Sequence, residues 1–330
     1  MRYKVRDEVE VYKQIDGYLL KDIGNNNFVK IKEKEYEIYK LFKTERSLEE
    51  LEELEKAIVE ALISVGIICE VGKKVEIKKK FNIFNFKLAE FDISKLLKKI
   101  TVLNKVIFSK SFKITSIIVV LLSIVSAIYL QYIGKRLFSF QTYNIKYSYE
   151  FFVVYLGIIG AVAIHELGHI LTMVHYNYDV KNIGLRMYLL QLLVYCDLSD
   201  LYISEKKNEK IKIYSAGIIA QIILTSLAIC IYTAILLMTE IDLRVLLCFA
   251  TLNFIGALIN IIPLVKFDGY WILTTIIGIY NLDSKSYNEL LKLFSRKSFN
   301  KYLATFAILS IIFKIYLVSS TIFILNGYIH

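Results

Sequence analysis

The sequence predicts an α-helical polytopic membrane protein, with about five or six transmembrane helices, joined to a small α+β domain at its N-terminus. Hydrophobic residues make up 56% of the 330 positions. The mean hydropathy of +0.50 exceeds what a soluble domain needs. Five apolar runs are long enough to cross a hydrocarbon core of about 30 Å as helices. They are 114–133, 150–174, 213–238, 245–266 and 303–325. A shorter run, 270–280, fits either a half-helix or a sixth crossing.

Basic residues are distributed unevenly among the loops between these runs. Seven lysines lie from Lys87 to Lys113, before the first crossing, whereas the loop 239–244 has Arg244 alone. The positive-inside rule therefore predicts a cytoplasmic N-terminus. "MRYKVRDEVEVYKQ" has no apolar core, so no cleaved signal peptide is expected. Richness in lysine, isoleucine, asparagine and tyrosine suggests an AT-rich bacterial genome, so the membrane is predicted to be a bacterial cell membrane. The net charge of +10 indicates anionic membrane lipid as a partner, and no nucleic acid.

Residues 1–80 are predicted to form a winged-helix-like cytosolic domain. "DGYLLKD" and "NNFVKI" predict two strands, "SLEELEELEKAIVEALISVGII" a capped helix, and "ICEVGKKVEIKKK" a hairpin around Gly72. The acidic "EELEELEKAIVE" is poorly suited to lie along phosphates. Peptide recognition by strand addition fits the domain better than DNA binding. An unspecified cytosolic role remains the alternative.

Residues 81–112 are predicted to form a linker and an amphipathic helix. "FDISKLLKKITVLNKVIFSKSF" alternates apolar residues with lysines, so we expect it to lie on the inner leaflet. Residues 113–330 then form the membrane-embedded domain. Within that domain, 178–196 is broken by polar residues and has strand-like stretches. This pattern favours a hairpin or re-entrant piece over a crossing.

The stretch "HELGH", residues 165–169, lies inside the second apolar run. On a helix, His165 and His169 project from one face, and both imidazoles can reach one zinc ion. Glu166 is rotated around the helix, where it can act as a general base on water. The chain has four histidines, so a chance match is rare. Ionisable groups at membrane depth are functional by default. We therefore predict one Zn²⁺ per chain.

A zinc site of this kind needs a third protein ligand. His175 has the outer spacing of an HExxHxxGxxH pattern, but Thr172 stands where that pattern needs a glycine. A continuing helix would turn His175 to another face. Asp268, in "NIIPLVKFDGYW", is the better candidate because Pro263 should break the helix before it. The predicted topology brings Asp268 and "HELGH" to the cytoplasmic side of the bilayer.

These two motifs together resemble the site-2 protease family of intramembrane zinc metallopeptidases. The resemblance covers roughly 150–282. It implies zinc ligands, a general base and a donor to the substrate carbonyl or oxyanion. By this resemblance the zinc ligands are His165, His169 and Asp268. The general base is Glu166, and the donor is Asn260.

A third segment matches the family less closely. "SAGIIAQ", 215–221, occupies the place of the family's AGPxxN-like segment, with Ile218 for proline and Gln221 for asparagine. The resemblance implies substrate binding around this segment and beside Asp268. The residues predicted to bind substrate are Gly217, Gln221 and Gly269.

A narrower resemblance concerns the flanking segments. "FDISKLLKKI", "LLVYCDLSDLY" and the winged-helix-like front are similar to the peptide zinc metalloproteases of bacteriocin and modified-peptide production. Asp197 and Asp200 match an acidic stretch of that branch, where turn capping is the default role. Cys196 stands where threonine is usual. The branch implies bacterial peptide maturation, with a peptide exporter as a further partner.

The predicted function is a membrane-embedded zinc endopeptidase that cuts a precursor peptide or a single-pass membrane substrate near the cytoplasmic leaflet. Two alternatives remain. A metal-binding transporter or immunity protein should show more ionisable residues in its crossings, or an internal repeat. An inactive peptide-binding scaffold is the other alternative, and an intact Glu166 argues against it. Lys314, inside 303–325, is predicted to snorkel, to pair with a carboxylate, or to mark a bend.

Overall fold

The computed structural model of the protein describes residues 1–14, 17–22, 27–72, 85–93, 103–135, 148–180, 182–188, 191–279, 281–294 and 298–329. The chain forms two compact units. The first comprises Met1–Asn82 and Leu198–Glu205, and the second comprises Ile83–Asp197 and Lys206–His330. The first unit therefore includes a short segment from far along the chain, which no sequence pattern indicated.

The first unit is an α+β fold with two antiparallel three-stranded sheets. Its strands are β1 (Arg2–Val5), β2 (Val9–Gln14), β3 (Gly17–Asp22), β4 (Asn27–Ile31), β5 (Arg46–Ser47) and β6 (Ile68–Glu70), and its helices are α1 (Glu33–Leu41) and α2 (Glu53–Ser64). The sheet orders are β2-β3-β4 and β5-β1-β6. The two predicted strands are thus present as the neighbours β3 and β4. The winged-helix arrangement stays a prediction, and residues 73–80 of the predicted hairpin lie outside the described residues.

One hydrophobic core serves both sheets and both helices of this unit. Leu20, Tyr39, Val59 and Ile68 come from β3, α1, α2 and β6 and are all buried in it. Their burial is the main source of stability, at about 25 cal/mol per Å² of apolar surface removed from water.

Two buried charges of β3 are neutralised within the first unit. Asp22 is fully buried, and its Oδ2 accepts a hydrogen bond from Arg6 NH1 at 2.9 Å. Lys21 Nζ lies 3.4 Å from Oδ1 of Asp200, which belongs to the Leu198–Glu205 segment. Because an unpaired buried charge is costly, the Lys21–Asp200 pair helps to hold the segment in the unit.

Besides a short helical stretch at 103–107, the second unit contains a small sheet and seven helices among the residues described. In chain order they are β7 (Asn85–Asp92), α3 (Lys110–Tyr132), α4 (Ser148–His175), β8 (Asn182–Tyr188), β9 (Gln191–Cys196), α5 (Lys207–Thr239), α6 (Arg244–Ile261), α7 (Asp268–Ile277), α8 (Leu282–Phe294) and α9 (Lys301–Ile329). Five of the described helices, α3, α4, α5, α6 and α9, are long and apolar enough to cross a membrane. Each contains or overlaps one of the five predicted runs.

The sixth apolar run does not form a crossing. It falls mainly on α7, which has 10 residues and is far shorter than the roughly 20 that a transmembrane helix needs. The left-handed Gly278, at φ +70°, ends α7. The chain then continues into α8, an amphipathic helix of 13 residues.

The sheet β7-β8-β9 corrects one sequence expectation. Residues 85–92, predicted to belong to a linker, form β7, and they pair antiparallel with β8 from Asn85 opposite Tyr188 to Asp92 opposite Asn182. The partner lies about 90 residues further on, so no local pattern could reveal the pairing. The predicted hairpin at 178–196 is confirmed as the antiparallel pair β8 and β9. Residues 94–102 of the predicted amphipathic helix lie outside the described part of the chain.

Close packing of α4 against α5 depends on a glycine. A Cβ built on Gly168 would lie 2.9 Å from the backbone oxygen of Ala216 in α5. Small residues at such crossings let two membrane helices approach closely. Because Gly168 directly precedes His169, this contact brings α5 up to the histidines.

Candidate metal centre

Helix α4 presents the two histidines of "HELGH" on one face, as the spacing predicts. Their Nε2 atoms are 3.1 Å apart, and both side chains are buried. The imidazole rings meet nearly edge to face, with an interplanar angle of 81°. His165 and His169 therefore direct one nitrogen each to a common point.

Asp268 reaches this point because the chain is broken after α6. Helix α6 ends at Ile261, and Ile262 takes an extended conformation before Pro263, as a residue before proline should. The chain then turns and begins α7 at Asp268. Oδ2 of Asp268 lies 3.2 Å from Nε2 of His165 and 3.3 Å from Nε2 of His169.

Gly269 allows this turn to close. A Cβ at Gly269 would lie 2.0 Å from the backbone oxygen of Ile261, the last residue of α6. Any side chain would therefore push the start of α7 away from the end of α6. The structure gives Gly269 this packing role, and its predicted contact with substrate stays a prediction.

The three ligand atoms fit a tetrahedral cation. They are separated by 3.1, 3.2 and 3.3 Å. Ligands about 2.0–2.1 Å from a tetrahedral zinc ion are about 3.3 Å apart. Oδ2 of Asp268 is buried and receives no hydrogen bond from the described residues. A buried carboxylate oxygen that faces two imidazole nitrogens in this way suits a metal ion, since a cation would satisfy all three.

Helix α5 sets the tautomer of both histidine rings. Nδ1 of His165 donates to Oε1 of Gln221 at 3.0 Å, and Nδ1 of His169 donates to the backbone oxygen of Ile213 at 2.7 Å. With each proton on Nδ1, the Nε2 lone pairs point to the common site. Such outer hydrogen bonds fix ring orientation and strengthen a histidine as a ligand.

Gly217 lies between these two outer partners on α5. A Cβ at Gly217 would lie 2.5 Å from Nε2 of His169 and 2.6 Å from Nε2 of His165. Glycine is thus the residue type that lets α5 pass close beside the Nε2 atoms of both histidines. The predicted role of Gly217 in substrate binding is untested, and what the structure shows is contact with the metal-binding rings.

Glu166 does not join the ligand triangle. Its Oε2 accepts a hydrogen bond from the backbone N–H of Cys196, the last residue of β9, at 2.8 Å. Burial raises the pKa of the Cys196 thiol, and the neighbouring Glu166 carboxylate adds to the shift.

Asn260 is connected to the same constellation. Its Nδ2 donates to Oε1 of Gln221 at 3.2 Å, so one amide oxygen accepts from both Asn260 and His165. Asn260 is only partly buried and stands one residue before the end of α6. The structure places Asn260 near the ligands, through Gln221. Its part in catalysis stays a prediction.

His175 lies apart from the ligand triangle. Its ring stacks on Phe108, with the ring centroids 3.8 Å apart. In the part of the chain that the structure describes, the group able to hold a metal ion is His165, His169 and Asp268. The geometry therefore agrees with the choice of Asp268 over His175.

The loop before Asp268 is held by α8 and α9. Lys314 Nζ lies 3.0 Å from Oδ1 of Asp283, whose Oδ2 is 3.5 Å from Nζ of Lys266. The hydroxyl of Ser310 donates to the backbone oxygen of Leu264 at 2.7 Å. Of the outcomes expected for Lys314, pairing with a carboxylate is the one observed.

Backbone partners of the site could not be found from residue types. The backbone oxygen of Ile213 contacts His169, and the backbone N–H of Cys196 contacts Glu166. Neither contact depends on the side chain of Ile213 or Cys196. Gln221 did stand out, as a departure from a family motif, but it was assigned to substrate and not to His165. The available signal in the sequence was a glutamine inside an apolar run, about one helical turn after Gly217.

A polytopic helical protein with a buried His–His–Asp triangle and a glutamate beside it has the architecture of a membrane-embedded metallopeptidase. The sequence model of peptidase family M50, the family of the site-2 proteases, matches residues 151–242. The match contains "HELGH" and all of α5 and supports this family. Asp268 lies beyond it and is joined to the site by the structure. No curated protein and no solved structure matches the chain in these comparisons.

Proposed function

We propose that the protein is a zinc-dependent endopeptidase of the site-2 type that matures a precursor peptide, or cuts a single-pass membrane protein, near the cytoplasmic leaflet of a bacterial membrane. The observation that carries the proposal is the triangle of His165, His169 and Asp268 atoms with Glu166 on the adjoining helical face. The expected stoichiometry is one Zn²⁺ per chain.

The reaction assigns separate tasks to the chain's own residues. Zinc, when bound, supplies Lewis acidity that polarises a carbonyl and acidifies a water molecule. The Glu166 carboxylate takes the proton from the attacking water and passes it to the leaving amine. Asn260 Nδ2 donates a hydrogen bond to the oxygen on which negative charge develops. Water adds across the peptide bond, which yields one carboxylate and one amine.

Strand β9 offers a way to present an extended substrate to this site. Among the described strands it pairs with β8 alone, so its other edge can accept a further strand. Its last residue, Cys196, donates its N–H to Glu166. A peptide added to β9 would therefore run beside the base. A transmembrane substrate would have to unwind before it could pair in this way.

The first unit supports a small peptide as the substrate. It has sheet edges at β2 and β4 in the described part of the chain, and strand addition at such an edge would bind a leader segment. The described residues between α4 and α5 form β8, β9 and a short turn, and this part of the chain is too short to hold an inserted recognition domain. A bacterial exporter of the mature peptide is the further partner that this role implies.

The experiment compares wild-type protein with Glu166→Gln, His169→Ala, Asp268→Ala and the control His175→Ala, all purified in detergent. Zinc is counted by elemental mass spectrometry, and cleavage is followed with fluorescein-labelled casein as a general unfolded substrate. We expect about one zinc in wild type, Glu166→Gln and His175→Ala, and zinc loss in the other two. Cleavage should fall about 100-fold or more in Glu166→Gln.

The outcomes also distinguish the proposed endopeptidase from the alternative functions. A transporter or immunity protein that uses the site for metal would bind zinc but show no cleavage in any variant. An inactive scaffold would behave in the same way toward casein. Cleavage that persists in Glu166→Gln, or zinc that is lost in His175→Ala but kept in Asp268→Ala, would refute the proposed site.

A further inference from the structure

The side chain of Gln221 contacts both a predicted metal ligand, His165, and the predicted donor to substrate, Asn260. It lies on α5 and is 4% exposed. Its Oε1 accepts from His165 Nδ1 at 3.0 Å and from Asn260 Nδ2 at 3.2 Å. A single buried oxygen thus joins a residue that would hold the metal to a residue that would face the substrate carbonyl.

The consequences for His165 follow from the tautomer. An acceptor at Nδ1 requires a proton there, so the Nε2 lone pair is directed to His169 and Asp268. Without the acceptor, His165 could carry its proton on Nε2, where it would block metal binding. Outer partners of metal-bound histidines typically contribute 10–100-fold to metal affinity.

The consequences for Asn260 concern the direction of its amide. One Nδ2 proton is used for Gln221, which fixes the plane of the amide and leaves the second proton for an oxygen of the substrate. A donor helps a transition state most when it is already oriented. Gln221 would thus fix the distance between this donor and the metal ligand.

Gln221 is itself held from two sides. Asn253 Nδ2 donates to its backbone oxygen at 2.9 Å and to the Thr225 hydroxyl at 2.9 Å, which ties α6 to α5 at this level. A Cβ at Gly256 would stand 3.5 Å from Nε2 of Gln221, at ordinary van der Waals distance, so the amide end packs against α6. A glutamine oxygen reaches both donors here, His165 Nδ1 and Asn260 Nδ2, whereas an asparagine is one methylene shorter.

We propose that Gln221 is a positioning residue that orients His165 for the metal and Asn260 for the substrate, in place of the substrate contact that the family motif predicts. The assignment rests on the proposed function. It makes a distinct claim, because it requires that the loss of the Gln221 oxygen weaken metal binding in the absence of any substrate.

The test measures zinc affinity by chelator competition in Gln221→Leu, Gln221→Glu and Gln221→Asn, with Thr233→Val as the control. Thr233 is a buried residue of the same helix whose hydroxyl bonds only to Ile229 of its own turn. We expect Gln221→Leu and Gln221→Asn to bind zinc about 10–100-fold more weakly. Gln221→Glu, whose carboxylate can accept from both donors, should retain the affinity, and Thr233→Val should match wild type.

A spectroscopic readout accompanies the affinities. The visible spectrum of the Co²⁺-substituted protein reports ligand geometry, and we expect it to change in Gln221→Leu and to be restored in Gln221→Glu. Gln221→Leu with wild-type zinc affinity and spectrum but a raised KM would overturn the assignment in favour of a substrate contact. Tight zinc binding that depends on Gln221, together with undiminished cleavage by Glu166→Gln, would refute the proposed mechanism and leave the Gln221 assignment intact. A wild-type protein that binds no zinc would overturn both.

Discussion

Gly217 shows at the residue scale how little space the metal site leaves. Its Cα is placed so that a methyl group would meet both imidazoles at 2.5–2.6 Å. Real Cβ atoms do not approach other atoms so closely, so the rings would have to move. Metal sites tolerate displacements of only about 0.2 Å in their ligand distances. A single methyl group at position 217 is thus expected to weaken metal binding by displacing the two imidazole rings.

We predict that Gly217→Ala lowers zinc affinity by about 10-fold or more while the protein still folds. Gly160→Ala is the matched control, because Gly160 lies in α4 and a Cβ there meets nothing within 4 Å. Zinc competition and thermal unfolding in detergent give the two readouts. Equal zinc affinities for both variants would show that the rings can shift without cost.

Most direct residues of the site could be inferred at this scale, whereas their supports could not. The spacing of "HELGH" is local, so the face shared by His165 and His169 follows from helix geometry. Pro263 marked the break that carries Asp268 to them. The supporting contacts join α4 to α5 and β9 across tens of residues, and the Ile213 oxygen and Cys196 N–H have no residue type that announces them.

At the scale of elements, α8 and α9 act as a brace for the loop between α6 and α7. Val265 from the loop and Leu317 from α9 are buried together in one cluster. Asp283 of α8 pairs with Lys314 on one side and with Lys266 of the loop on the other. The Tyr287 hydroxyl accepts a further hydrogen bond from Lys314 at 2.9 Å. The position of Asp268 therefore depends on helices that follow it in the chain.

We predict that Lys314→Met destabilises the protein by about 1–3 kcal/mol, because Asp283 loses its nearer cationic partner in a half-buried site. The loop should loosen as well, so zinc affinity should fall, though less than in Gly217→Ala. Thermal unfolding in detergent and zinc competition measure the two effects. Lys285→Met, an exposed position on α8, is the control. A stable Lys314→Met protein with unchanged zinc affinity would contradict the brace.

Helices were predicted better than strands for a physical reason. The five apolar runs fall on the five long helices because a membrane crossing is specified by local hydropathy. Strand β7 was not predicted, because its stability comes from pairing with β8, about 90 residues away. The start of α2 was also misplaced: Ser47 caps the short 3-10 turn Leu48–Glu50, and α2 begins only at Glu53.

At the scale of the whole molecule, the chain passes through its two units in an interrupted order. It leaves the second unit after Asp197, contributes Leu198–Glu205 to the first, and returns to the second at Lys206. Leu201 in this segment is fully buried, and Asp200 pairs with Lys21 of β3. The segment begins two residues after Cys196, whose N–H donates to Glu166.

We predict that Asp200→Asn loosens this segment, because Lys21 would be left buried without its carboxylate partner. Amide hydrogen exchange of Leu198–Glu205, followed by mass spectrometry in detergent, should become faster. Asp7→Asn, which removes an exposed ion pair with Lys4, serves as the control and should change nothing there. Unchanged exchange in Asp200→Asn would mean that the burial of Leu201 alone holds the segment.

The interrupted order has a consequence for protein engineering. The first unit is not a cassette that can be cut off at its C-terminal boundary, because a protein that began at residue 83 would still contain Leu198–Glu205. Leu201 would then lose the packing that buries it and would add an apolar patch to the remaining surface. A working truncation would need a polar replacement for those eight residues, and any natural exchange of the front unit between homologues would require a matching change at a second place in the gene.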